Sequence, residues 1–184
     1  IFGVEERPVP GGSVPGEVYA PTQPFPVKPA EPVSRVAFDR ERDMVRPEDT
    51  TPEHAAACEE LWERSGGFIN WGPYTPFVFH EAGAPPRSTL QLPGALGGVN
   101  WGGLASDTAR GLVYMHANDS SLVGWVEAKQ PGKNYGNGTE GSTIPYDRGS
   151  VDGAGPYFSF SAPFVDANGE RQGSLPCYRP PWSR

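Results

Sequence analysis

Apolar positions recur with helical spacing in one stretch of the chain. Ala55, Cys58, Leu61, Trp62 and Ser65 fall on one stripe, while Glu59, Glu60, Glu63 and Arg64 lie elsewhere. Thr51 can cap such a helix, Pro52 suits its first position and Glu53 complements its dipole. Gly66-Gly67 ends it. The pattern predicts one amphipathic helix over 52–65, docked through Cys58, Leu61 and Trp62. Most of the chain beyond Gly67 reads as strands. Ser88 to Leu92 alternates and stops at Pro93-Gly94. Trp101 to Ser106 and Leu112 to Ala117 flank Asp107 to Gly111, a tight hairpin connection. Ser121 to Glu127 is a further strand. Tyr157 to Val165 carries Pro163, which points to an edge or a bulge, and Asp166 to Gly169 is a turn signal. Residues 1–34 are punctuated by prolines from Pro8 to Pro32, which forbid a helix and allow polyproline-like runs or edge strands. Tyr19, Phe25 and Val27 give that segment side chains worth burying, so it is expected to lie on a larger body. Lys129 to Ser150 is long, polar and glycine-rich, a loop of functional or mobile type.

Composition sharpens this picture. The 184 residues include 22 Pro and 24 Gly, a quarter of the chain, against about 12% on average. A fold of long helices is excluded. The aromatic content of 11%, with five Trp, argues against full disorder. The expected class is all-β, a sandwich or propeller of short antiparallel strands. The net charge of −7 comes with no Lys/Arg cluster, so no nucleic-acid partner is expected. The mixed run Phe38 to Asp43 reads as a solvated face. No apolar stretch approaches the ~20 residues of a membrane span. The chain starts on Ile1 and stops on Arg184, so it is expected to be a piece of a longer protein.

Candidate chemistry is sparse. Cys58 and Cys177 are too far apart for a CxxC pair, and two buried thiols or a disulfide both remain open. His54 is expected exposed in the first helical turn, and His80 to sit in a loop. His116 lies in a strand beside Asn118 and Asp119. No histidine pair has zinc-site spacing, and no metal ligand is expected. The sharpest feature is Pro93-Gly94-Ala95-Leu96-Gly97-Gly98-Val99-Asn100-Trp101-Gly102-Gly103, which is neither a phosphate loop nor GxGxxG. Its glycines allow a sharp backbone path and close approach by another group. Residues alone allow either a turn that buries Trp101 in the core or a lining for a flat polar ligand. In the second case the indole would stack and Asn100 would offer a donor and an acceptor.

Three motifs in order carry a resemblance. They are Ala20-Pro21-Thr22-Gln23-Pro24-Phe25, the Pro93 to Gly103 segment with Asp107 after it, and Pro176-Cys177 with Pro180-Pro181-Trp182. The series resembles the C-terminal half of pyrroloquinoline quinone (PQQ)-dependent glucose dehydrogenases, which are eight-bladed propellers. The resemblance implies a partial β-propeller of about two blades, with the helix over 52–65 inserted and residues 87–184 as blade strands and loops. It implies PQQ as hydride acceptor, a calcium ion, a sugar or alcohol substrate, and ubiquinone or a cytochrome as electron acceptor. It implies a periplasmic setting, with any inner-membrane attachment through a part of the parent not present here. Asn100 would hydrogen-bond the quinone and Trp101 would shape the wall beside it. His116 falls where related glucose dehydrogenases carry an asparagine, a role Asn118 could take. The aspartate base, the calcium ligands and the remaining blades would lie outside these residues, leaving the isolated piece inactive. Asp107 matches a turn residue of the motif and is not the expected base. The setting leaves Cys58–Cys177 pairing open, and makes Lys129 to Ser150 a candidate rim over the substrate mouth. The rival expectation is a secreted β-rich carbohydrate-binding or interaction module, in which the tryptophans form a sugar platform without catalysis.

Overall fold

The computed structural model describes residues 3–28, 34–94, 97–131, 149–152, 155–162, 164–165 and 175–179; the side chains of 100, 101 and 149–152 are outside the description. Pro163, the 166–169 turn, residues 132–148 of the long loop and residues 180–184 lie outside the described residues.

The proline-rich start forms a two-stranded antiparallel ribbon, β1 (Val4–Pro8) with β2 (Thr22–Pro26). Proline is tolerated because each strand has a free edge among the described residues. Phe25 is half-buried, with the Arg7 guanidinium over its ring at 5.2 Å. Tyr19 and Val27 are exposed, contrary to expectation.

The run Phe38 to Asp43 is not a solvated face throughout. Asp39 caps a short helix, α1 (Arg40–Asp43), by accepting from Arg42 N–H, and Asp43 is buried. Asp43 accepts from Asp39 N–H at 2.9 Å and from Arg42, which satisfies a carboxylate that the charge pattern alone places in water. Burial works to raise the Asp43 carboxyl. The Arg42 and Asp39 hydrogen bonds, with the Arg42 and Arg35 charges, outweigh it and hold the carboxyl below its usual range.

The main helix, α2 (Pro52–Arg64), has Thr51 as its cap, Thr51 Oγ1 accepting from His54 N–H at 3.2 Å. Cys58 and Leu61 are buried on its inner face. Trp62 stacks on Phe38 at 5.7 Å and meets Phe68 edge-on at 5.2 Å.

The core sheet contains β3 (Phe68–Ile69), β4 (Val78–Phe79), β5 (Ser88–Gln91), β8 (Leu122–Ala128), β9 (Gly149–Asp152) and β10 (Tyr157–Ala162), in the order β3-β5-β8-β10-β9 with β4 also on β8. It is not purely antiparallel: β3 pairs β5 in parallel, and β4 pairs β8 in parallel. Nor is β10 an edge, since β8 and β9 flank it. Phe158, Phe160 and Ala162 alternate inward along it. Trp125, opposite Phe160, stacks on that ring at 5.4 Å, and its indole N–H donates to Glu127 Oε1 at 2.7 Å. Gly124 is required there, because a Cβ would overlap the Phe77 ring.

A disulfide joins Cys58 to Cys177, with Cα atoms 5.4 Å apart, and ties α2 to residues 175–179. Of the two states that spacing allows for these cysteines, the fold adopts the bonded one.

The remaining strands, β6 (Val99–Asp107) and β7 (Leu112–Ala117), pair only with each other among the described residues. Successive residues of β7 point to opposite faces. Tyr114 on one face is 54% exposed and Val113 on the other 62%. The hairpin therefore offers apolar side chains on both faces, the pattern of a sheet meant to be covered twice. No helix among the described residues is long and apolar enough to cross a membrane.

Candidate functional site: the bulged end of the hairpin

The glycine-rich segment enters the hairpin along a fixed path. Pro93 C=O accepts from Ser120 Oγ–H at 2.7 Å. Gly94, at φ 69°, lies against Ser121, where a Cβ would come within 3.0 Å of backbone. Gly98 packs on Ser34, whose hydroxyl occupies the space a Cβ would need. Its carbonyl accepts from Asn118 N–H at 2.8 Å.

Pairing then breaks. Val99 faces Ala117 and Leu104 faces Met115, so Asn100 to Gly103 stand opposite His116 alone. This multi-residue bulge re-aims the strand. It brings the four residues anticipated from sequence to one end of one hairpin: Asn100 and Trp101 in the bulge, His116 across from it, and Asn118 just past β7. His116 is exposed, Asn118 is half-buried, and neither side chain has a hydrogen-bond partner among the described residues. Gly97 and Gly102 would meet no atom of the described residues within 4 Å if given a Cβ, so among those residues the backbone there is open to an approaching group.

The loop beneath is held by charge. Arg35, with a side chain only 2% exposed, donates from Nε to both Asp119 carboxylate oxygens at 3.0 Å, and its Nη2 lies 2.8 Å from Oδ2. The same Nη2 donates to Arg179 C=O. Tyr178 O–H donates to Asp119 C=O at 2.9 Å, and burial pushes that phenol up, with the Asp119 charge adding to it. Residues 177–179 thus lock the turn carrying Asn118, and the disulfide locks those residues to α2. Arg35 Nη1 is buried with no hydrogen-bond partner among the described residues.

The family model for the β-propeller domain of PQQ-dependent glucose/ethanol/alcohol dehydrogenases matches residues 1–184. The chain belongs to this family. It is 28% identical over 196 residues to the glycerol dehydrogenase large subunit of Gluconobacter thailandicus, covering 99% of this chain and 23% of that protein. It is 31% identical over 182 residues to a probable quinate dehydrogenase (quinone) of Xanthomonas campestris pv. juglandis, covering 97% and 20%. It is 26% identical over 191 residues to the quinoprotein glucose dehydrogenase of Escherichia coli K12, covering 99% and 20%. The chain therefore spans about a fifth of the length of the curated relatives it matches. No solved structure matches it.

As a piece of a PQQ propeller, the chain is mostly strands, with no closed ring of blades among the described residues. At its hairpin end the backbone of Gly97 and Gly102 is open among the described residues, and His116 and Asn118 keep unused hydrogen-bonding groups there, a set of donors and acceptors compatible in chemistry with quinone oxygens. One group of three metal-binding side chain types converges among the described residues, His54 with Cys58 and Cys177, and its two sulfurs are bonded to each other.

One histidine differs from expectation. His54 is buried: its Nε2 donates to Leu175 C=O at 3.2 Å, and its Nδ1 pairs with Thr50 Oγ1 at 2.8 Å. His80 sits in the loop just after β4, as expected, and is buried there, donating from Nε2 to Ala84 C=O at 3.1 Å, with Nδ1 3.7 Å from Glu127 Oε1. Both belong to the packing.

Proposed function

We propose that the polypeptide containing these residues is a quinoprotein dehydrogenase that oxidises a sugar or alcohol and passes the electrons to ubiquinone or a cytochrome in the periplasm. The observation that carries this reading is the gathering of Asn100, Trp101, His116 and Asn118 at the glycine-rich bulge, within a chain of the PQQ family. PQQ, when bound, supplies a quinone carbonyl that takes a hydride from the substrate carbon, and a calcium ion makes that carbonyl more electrophilic. This chain's share is binding and orientation. Asn100 and Asn118 would offer amide donors and acceptors to the quinone oxygens, His116 would offer a ring nitrogen, and Trp101 would contribute to the wall. Gly102 keeps the approach clear. Arg35 and Asp119 hold the Asn118 turn in place. The base, the calcium ligands and the other blades come from elsewhere in the parent, so the isolated 184 residues are expected to show no turnover. The relatives carry glycerol, glucose and quinate in their names, and the substrate here falls in the same range of hydroxylated compounds.

The test is PQQ titration of the complete protein by fluorescence quenching. Asn100→Ala and Asn118→Ala should each weaken PQQ binding roughly tenfold, the loss of one well-placed hydrogen bond in a dry site. Unchanged affinity in both variants would remove the hairpin end from the cofactor site.

A further inference from the structure

A cleft of about 200 Å³ lies between the 70–75 turn and the end of β5, and Leu92, Pro93 and Gly94 form one of its walls. That wall is the entry to the glycine-rich bulge, and Ser120 ties it to the turn carrying Asn118. The cleft thus borders the segment that leads into the candidate cofactor site. Its volume is below the ~300–1,000 Å³ usual for drug-sized ligands, so it suits a smaller molecule than a tricyclic quinone.

Among the described residues the lining contains no charged side chain. Two of its polar residues are engaged mainly in the turn itself. Asn70 Oδ1 accepts from Phe38 N–H and Gly72 N–H, and its Nδ2 donates to Leu90 C=O. Thr75 Oγ1 accepts from Trp71 N–H and donates to Gly72 C=O. These bonds shape the turn rather than face a ligand. Besides the second amide N–H of Asn70, two polar residues keep unused groups among the described residues. Gln91 uses one N–H, to Thr75 C=O at 3.3 Å, and keeps its carbonyl and second N–H. The Tyr74 hydroxyl has no partner there. Tyr74 also stands at φ 63°, the left-handed region that a bulky residue rarely adopts. The surrounding turn holds that conformation, and the residue, which lines the cleft, is 52% exposed, with the Phe25 ring 5.6 Å from its own.

An exposed aromatic face, one free hydroxyl, one free amide and apolar flanks are what a neutral polyhydroxylated molecule needs: a surface for its C–H face and uncharged partners for its hydroxyls. A carboxylate entering the same cleft would lose hydration and find no cation in that lining. The geometry points to this cleft as the subsite that binds a neutral sugar or polyol, with Tyr74 and Gln91 as its contacts, and that discriminates against hydroxy-acids. The assignment rests on the dehydrogenase reading for its role as a substrate site.

Calorimetry on the complete protein, with and without PQQ, tests it using matched pairs: D-glucose against D-glucuronate and glycerol against glycerate. Glucose or glycerol should bind at least tenfold more tightly than its acid. Tyr74→Phe, which keeps the ring and the backbone, and Gln91→Ala should each weaken the neutral ligand about fivefold without altering PQQ affinity. Gln91→Lys should shift the preference toward the acid by tenfold or more. Equal binding of neutral and acidic partners, or no effect of Tyr74→Phe and Gln91→Ala, overturns the subsite. A protein that binds the neutral ligand through Tyr74 and Gln91 but never binds PQQ supports the cleft and sinks the dehydrogenase reading alone.

Discussion

The core sheet and the β6–β7 hairpin use the same kinds of residue to opposite ends. In β8 and β10, Val123, Trp125, Phe158 and Phe160 are covered within the chain by α2, by neighbouring strands and by the 175–179 segment. In the hairpin, Leu104, Val113, Tyr114 and Met115 all face water. In the first region the Trp125 indole finds its partner, Glu127, within the same strand. The second carries the candidate cofactor residues, and the groups on His116 and Asn118 stay free among the described residues. One part of the chain is scaffold, and the other is an exposed apolar surface that, on the proposed function, a ligand and further sheets would complete.

Three changes probe the scaffold side of that contrast. Trp125→Ala should have the largest effect, about 3–5 kcal/mol of stability lost on urea unfolding, because the cavity opens where Phe160 and Val123 cannot collapse. A loss under about 1 kcal/mol would mean that the sheet is not the core. Replacing Cys58 and Cys177 together by Ser should destabilise by about 2–4 kcal/mol. It should also loosen the Asn118 turn, seen as faster amide exchange at residues 118–120. The smallest effect is on pH dependence. Asp43 has its carboxyl held below the ordinary range, so its contribution is fully present above the unfolded value of about 3.9 and is lost as pH falls through the folded one. Asp43→Asn should flatten the acid limb of stability, measured as unfolding midpoints from about pH 2 to about pH 7. An unchanged acid limb would show that Asp43 is as well accommodated unfolded as folded.

What sequence can reveal divides along the same line. The α2 helix is legible because Thr51, Pro52 and Gly66-Gly67 are local signals. The hairpin is legible because Asp107 to Gly111 sits between two alternating runs. The hairpin sets Asn100 and Trp101 beside His116 and Asn118, but as candidate site residues the four are named together only through the family resemblance. His54 and His80 escape a sequence reading for a different reason: their burial is decided by Leu175 and by Glu127, which no local pattern connects to them. The two-residue strands β3 and β4 carry too few positions to show a period, and their parallel pairing is a tertiary choice. The Tyr74 cleft leaves only a faint trace, Gly72-Pro73 as a turn signal, since a left-handed tyrosine is imposed by the hydrogen bonds of Asn70 and Thr75.

The most direct test of the hairpin end as a cofactor wall is Gly102→Val in the complete protein. A Cβ at this position meets no atom of the described residues within 4 Å, so the unfolding midpoint should stay where it is. A flat ring lying against the bulge would be pushed away, and PQQ affinity should fall at least tenfold in a fluorescence titration. PQQ binding as tight as that of the unsubstituted protein, with the fold intact, would contradict the account.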